Sequence, residues 1–470
     1  MKRFIVYISA FILLWGIWFF ICPYYLRMLE GFDFFTTLPD FWNLNLNVPN
    51  SLFEYVSCFL LQFYGMPAIG AAINALITIL MILSIDTVIR RVFKNADTLV
   101  WITFIAVPFY TKYLLQSLSL TKALICLAIT AACSIAITGI TWKRKEFIKL
   151  PDIFGNRWIG TAVIAVCIGF SGHTVYSRTV RNGIELMSKM DHMAENQEWE
   201  KILENITPKD ALTNDHLRKY ALLALTQSGG LADQAFVYGI SGINDYTYEK
   251  PETPMTRNFN MRFCNQLDMH NQGVYHAYQQ GTLFTLGMTF DAARSLADRY
   301  LEIKDYTLAK KYLEILSHST CNKRWVNRRL PSLEAIKGET AENLDIPANG
   351  VFGNMERDLL ILNERNPKDT RYQHMLLCGL LAEKKAEAFY EVFCNTAGPE
   401  YVAGARIPKV YQEALLVVLA PRPEELGKYK IDKEIQERFA DFGKLLGAGK
   451  DSVAKRKHAG SYWVHLCFQR

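Results

Sequence analysis

Five long apolar runs crowd the first 178 residues, and beyond them apolar positions recur at three- and four-residue steps almost to the end of the chain. A helical membrane crossing takes about 20 mostly apolar residues to bridge roughly 30 Å of hydrocarbon. Phe4 to Cys22 supplies one with no charge inside it, and Pro67 to Ile89, Leu99 to Gln116, Leu118 to Ile140 and Trp158 to Tyr176 supply the others. Ser51 to Tyr64 is apolar but short, carries Glu54 and is bounded by Pro49 and Pro67. That length predicts an interfacial or re-entrant helix rather than a crossing. Pro108 predicts a kink in the third long run, because it donates no main-chain hydrogen bond. The expected class is therefore all-α, with a transmembrane bundle of about five spans over residues 1–178.

From residue 179 to 470 the pattern predicts a soluble helical domain, with strand-like alternation confined to the last ten residues. Phe290 to Leu301 and Asp305 to Leu316 form two amphipathic stretches with a short polar link, a helical hairpin in which Leu296, Tyr300 and Leu301 face Tyr312, Leu313 and Leu316. The arrangement resembles a tetratricopeptide repeat, whose hairpins stack because one alone cannot bury its apolar face. Similar pieces open at Trp199, pair Asp215 to Leu225 with Leu231 to Tyr238, and follow Asn366-Pro367. Their periods are irregular, so the expected domain is a degenerate tetratricopeptide-like array.

Charge then sets the orientation. Residues 1–177 hold 13 Lys and Arg against 8 Asp and Glu, whereas the remainder holds 39 against 38. Positive short loops stay on the cytoplasmic side. The five-span arrangement gathers Lys2, Arg3, Arg90, Arg91, Lys94, Lys143, Arg144, Lys145, Lys149 and Arg157 inside, and leaves Arg27, Lys112 and Lys122 outside. The N-terminus is then cytoplasmic and the helical domain extracytoplasmic, which for a bacterial inner membrane means periplasmic. Phe19-Phe20-Ile21-Cys22-Pro23 offers no small-residue cleavage site, so the first run is expected to be an uncleaved signal anchor. Asp86 stands four residues before Arg90, a spacing that pairs them on one helical face. A near-neutral second half argues against nucleic-acid binding, which needs a clustered basic face.

Motifs for chemistry fail one by one. The nine histidines form no His-Glu-x-x-His pair, and the ten cysteines form no Cys-x-x-Cys pair or metal-ligand spacing, so no metal or cofactor is expected. Gly443 to Asp451 has five residues between its first Gly and Gly-Lys where a phosphate-binding loop has four, and Asp follows the Lys. Gly239-Ile-Ser241-Gly242 lacks the last glycine of a nucleophile elbow. The first outside loop carries Asp33 and Asp40 ahead of Glu54. Its acids resemble those of multi-pass transferases that use lipid-linked donors, where such groups act as base or bind a metal. The stretch Gly239 to Gln280 is expected to be an irregular insertion rich in Tyr, Asn and His, with Arg262, Tyr275 and His276 as candidate partner contacts.

Trp15-Gly16 in the anchor, Ile407-Pro408-Lys409-Val410-Tyr411-Gln412-Glu413-Ala414-Leu415 and the aromatic end Ser461-Tyr462-Trp463 give the whole chain a resemblance to an uncharacterised bacterial family. That resemblance implies multi-pass membrane proteins with a tetratricopeptide-like extracytoplasmic domain, and no activity. The expected function is a membrane-anchored interaction or scaffold protein that binds the bilayer and another protein or a cell-envelope component. The alternative is a transferase for a lipid-linked substrate using Asp33, Asp40 and Glu54.

Overall fold

In the computed structural model, which describes residues 2–93, 96, 99–141, 148, 156–338 and 354–468 apart from the side chains of Lys2 and Arg157, helices follow one another and no strand forms among these residues. The last ten residues, where alternation pointed to a strand, contain the helix Tyr462–Phe468 instead. Tyr462, Trp463, Val464 and His465 are all buried there, so burial on every side replaces the one-sided stripe that marks a surface helix. The positive-loop residues Lys94, Lys143, Arg144, Lys145 and Lys149 lie outside the described residues.

The chain divides into two compact units, Met1–Lys189 with Ala277–Leu344, and Met190–His276 with Asp345–Arg470. Compactness thus draws a different line from the solvent boundary expected at residue 178. In the first unit, α1 (Lys2–Ile21) leads through α2 (Pro23–Gly31), α3 (Pro39–Leu46) and α4 (Ser51–Leu61) to α5 (Pro67–Val92). There follow α6 (Val100–Phe104), α7 (Ala106–Leu114), α8 (Thr121–Ile140) and α9 (Arg157–Tyr176), the last continued by a π-helical turn, Ser177–Arg181. Among the described residues four helices are long and apolar enough to cross a membrane: Arg3–Ile21, Pro67–Val92, Thr121–Ile140 and Trp158–Arg181.

The remaining run, expected from Leu99 to Gln116, is an apolar helix over Val100–Leu114, interrupted at Ile105. Pro108 explains the break, since its nitrogen donates nothing to the Phe104 carbonyl one turn back. At 1.5 Å per residue such a helix is roughly 22 Å long, short of the hydrocarbon thickness.

Side chains fix how these segments run. Arg3 Nη1 reaches Asp86 Oδ1 at 2.9 Å and Arg90 Nε reaches Asp86 Oδ2 at 2.7 Å, so the start of α1 and the end of α5 meet. Near their other ends Trp15 Nε1 donates to the Ala68 carbonyl at 2.9 Å. α1 and α5 are therefore antiparallel, and α2 to α4 lie at the end opposite Asp86. α8 starts at that same end and runs beside α5, where Ser134 Oγ donates to the Ser84 carbonyl at 2.6 Å. Gly160 and Gly172 of α9 sit against Trp101 and Ile17, which returns the chain to the end where α2 lies.

Six helix pairs share one connection; in Asp215–Gln227 with Leu231–Gln234 and in Lys433–Gly447 with Asp451–Lys457 its left-handed residue is Gly229 or Gly449, and in the other four it is not glycine. Three residues join Ile184–Glu195 to Trp199–Asn205, Pro254–Gln266 to His270–Gly281, Phe290–Glu302 to Tyr306–Ser317, and Thr370–Ala382 to Ala386–Asn395. The middle residue is left-handed each time: Gln197, Asp268, Lys304 and Lys384 have φ of 57, 55, 59 and 60°. The next N–H then reaches back five residues, from Glu198 to Met193, Met269 to Cys264, Asp305 to Tyr300 and Lys385 to Leu380, at 2.9 Å in every case. This closure satisfies carbonyls that a helix end leaves open, and Phe290–Glu302 packs on Tyr306–Ser317, and Thr370–Ala382 on Ala386–Asn395, across it. The hairpin expected over 290–316 is one of the four.

A polar network joins helices of the second unit around Asp191. Asp191 accepts from Tyr220 Oη at 2.9 Å, Asn258 Nδ2 at 3.0 Å and Arg262 Nη2 at 3.1 Å. Asn258, Asn260 and Arg262 are buried, and most of the stretch expected to be an irregular insertion forms the helices Pro254–Gln266 and His270–Gly281. Its polar composition belongs to an internal network, not to a solvated loop.

Candidate functional site

At the end of the first unit where α2 to α4 lie, the sequence supplies acids inside an aromatic, apolar stretch, and each must find a partner or stay neutral. Glu30, in the last turn of α2, is buried and held by Arg294 of the helix Phe290–Glu302 through both guanidinium nitrogens, Nη1 to Oε2 at 3.2 Å and Nη2 to Oε1. Arg294 Nε also donates to Asn322 Oδ1 at 2.9 Å. Gly31 permits this approach, because a Cβ there would overlap the Asp291 carboxylate.

Asp33 follows in the loop after α2. Its carbonyl accepts from Phe290 N at 2.7 Å, while its side chain is buried and Oδ2 has no hydrogen-bond partner. Burial pushes the Asp33 carboxyl well above the usual carboxylate range, the Cys58 side chain and Phe34 N–H oppose that, and the charges of Glu54 and Glu30 add to it. Glu54, on α4, accepts from Ser119 Oγ at 3.3 Å and from Thr121 Oγ1, which ties α4 to the start of α8. Asp40 is exposed in the first turn of α3.

Of the three acids singled out in the sequence, the structure thus brings Asp33 and Glu54 together and leaves Asp40 apart. Glu30 and Arg294 are the members that sequence reasoning missed. The signal for Glu30 was a carboxylate beside glycine among Leu26, Met28, Leu29 and Phe32; nothing local marked Arg294, 264 residues away. The described residues contain no group of three or more His, Cys, Asp or Glu able to hold a metal ion.

The second unit carries the other candidates. Arg262 is buried and bonded to Asp191, which makes it a structural member of the network described above. Tyr275 is 51% exposed on the helix His270–Gly281. His276 follows it, and burial, with Arg257 nearby, pushes its imidazole down to about 4.

The residues that carried the family resemblance meet in this unit. Glu413 is fully buried, and its Oε2 accepts the Tyr462 N–H at 2.8 Å while Oε1 lies 4.0 Å from Lys409 Nζ. Asp233 accepts the Lys409 N–H at 2.8 Å, and Gln412 bonds Asp432 in both directions, its Oε1 accepting from Asp432 N at 2.6 Å and its Nε2 donating to Oδ2 at 2.9 Å. The two motifs thus fasten the C-terminal helix to the helix Lys409–Val418.

Fold and site define an all-helical protein with helices able to cross a membrane and a buried acidic group at one end of them. A family model matches residues 1–175 and 153–469, and the chain belongs to that family, the Family of unknown function (DUF6057). No curated protein and no solved structure matches it.

Proposed function

We propose that this protein is a membrane-anchored scaffold whose extracytoplasmic helical hairpins, a degenerate tetratricopeptide-like array, bind another protein or a cell-envelope component. The observation that carries the proposal is the connection repeated after Glu195, Gln266, Glu302 and Ala382, because hairpins closed in one way stack into extended surfaces suited to peptides and partner domains. In this reading five segments cross the bilayer, the short Val100–Leu114 by local thinning of the hydrocarbon around it, Ser51–Leu61 lies at its outer interface, the N-terminus is cytoplasmic and the hairpins are periplasmic. The shared Arg3–Asp86–Arg90 cluster supports it, since it gathers two of the positive segments at one end.

Two experiments test it. Protease added to spheroplasts should digest the hairpins without lysis; protection until the cells are opened would reverse the topology and remove the role. A photo-cross-linker at Tyr275 of the full chain in native membranes should then give a discrete adduct, and adducts under no growth condition would count against the scaffold. The buried Asp33 carboxyl, whose Oδ2 has no hydrogen-bond partner, favours with nearby Glu54 a second reading, transfer from a lipid-linked substrate. Loss of such an activity in Asp33→Asn, with the Tyr275 adduct unchanged, would select it.

A further inference from the structure

Between His318 and Lys337 the first unit carries five Lys and Arg against one acid. The helix Lys323–Asn327 turns Val326 inward, and Arg329 lies over the Trp325 ring at 3.5 Å while its Nη2 donates to Asp298 Oδ2 at 2.8 Å. Lys323, Arg324 and Arg328 are left exposed, with no ion pair among the described residues. Leu330 is 42% exposed beside them.

This turn is pinned beside the ends of the apolar helices. The His318 carbonyl accepts from Thr37 N at 3.1 Å, Thr320 N donates to Gln62 Oε1 at 3.1 Å, and Asn322 receives Arg294 from the Glu30 pair. Gln62 stands five residues before Pro67, where α5 begins. Three residues of chain from Thr320 place Lys323 within about 10 Å of that tether, comparable with the Debye length of roughly 8 Å at physiological salt. Around the same end α3 and α4 expose Trp42, Leu44, Leu46, Leu52 and Phe59, side chains suited to the headgroup boundary.

We propose that Lys323, Arg324 and Arg328, with Trp325 and Leu330, form a docking surface for the anionic phospholipid headgroups of the bilayer that holds the apolar helices. Cations at this depth meet phosphate without leaving water, and the two apolar side chains suit the adjoining interface. The inference rests on the membrane insertion in the preceding reading and is independent of any scaffold role. Each cation contributes roughly a fivefold preference for an anionic surface, so the three together give one on the order of a hundredfold.

The test is hydrogen exchange of the full-length protein in nanodiscs of phosphatidylcholine alone or mixed with phosphatidylglycerol. Peptides over 318–337 should exchange at least severalfold more slowly in the anionic discs, and the difference should vanish in the Lys323→Gln/Arg324→Gln/Arg328→Gln variant and shrink in high salt. All three side chains are exposed, and unchanged protection elsewhere verifies that the variant is folded. Equal exchange in both discs, or a difference that survives in the variant, would overturn the inference. So would protection by heparin or inorganic phosphate in neutral discs without any effect of phosphatidylglycerol, which would assign the surface to a soluble anion. An unprotected Pro67–Val92 in either disc would overturn the membrane reading itself, a separable result.

Discussion

Glu413 holds the N–H of Tyr462 at 2.8 Å across 49 residues, from a site with no exposure to solvent. Burial pushes its carboxyl up to about 7, against the opposing pull of the Tyr462 N–H and the charges of Lys409 and Arg438. A carboxyl raised on folding binds its proton more tightly in the native state, so its contribution is fully present below the unfolded value near 4.5 and is lost as pH rises through about 7. Glu413→Gln keeps an acceptor for Tyr462 and removes the ionisation. Denaturant unfolding between pH 5 and 8 should lose up to about 3 kcal/mol of slope in that variant. An unaltered slope would mean that Glu413 ionises as freely folded as unfolded.

His216 acts in the opposite direction. It is buried, and its Nδ1 lies 2.5 Å from Tyr248 Oη. Burial pushes the imidazole down to about 4, so native protein resists the proton that the unfolded chain takes up near 6.5. The stability it supports is present above about 6.5 and falls as pH drops toward 4. His216→Gln should flatten acid destabilisation in that window by up to about 3 kcal/mol, measured by hydrogen exchange of Asp215–Gln227. Retention of the full acid sensitivity would assign it to other groups, with His276 the next to replace.

The Glu30–Arg294 pair joins α2 to a helix 264 residues away in sequence, and both partners are largely buried. Removing one leaves a buried charge without compensation, which costs about 3–5 kcal/mol, whereas replacing both with apolar or neutral groups of similar size costs far less. Arg294→Met should therefore be strongly destabilising and Glu30→Gln/Arg294→Met should recover most of the loss. A double-mutant cycle on purified protein checks this; additive losses would show that the two side chains act independently.

What the sequence revealed and concealed follows from the range of the forces involved. The hairpin over 290–316 and the Asp86–Arg90 pair rest on contacts three and four residues apart, and both stand in the structure. Arg3 joins that pair across 83 residues and left no local mark. The helix Pro254–Gln266 was hidden because Asn258, Asn260 and Arg262 point inward, so polarity mimicked exposure. Among the acids Asp33, Asp40 and Glu54, composition showed the charge but not the burial that separates the first from the second.

Lys304 and Lys384 adopt φ of 59 and 60° in the hairpin connections, a region that costs a residue with a Cβ about 1–2 kcal/mol. Glycine removes that cost but adds freedom to the unfolded chain, so the net gain is smaller, about 0.5 kcal/mol at each site. Lys384 Nζ also donates to the Leu466 carbonyl at 3.1 Å, a bond that glycine forfeits, while the main-chain N–H groups of Lys304 and Lys384 bond the Leu301 and Leu381 carbonyls and glycine keeps both. Lys304→Gly should stabilise by that small amount, whereas a β-branched Lys304→Val should destabilise by about 1 kcal/mol or more. Thermal unfolding of the two Lys304 variants checks the order. Glycine destabilising at residue 304 would show that the left-handed turn is not the strained element and would remove the energetic argument for a shared connection.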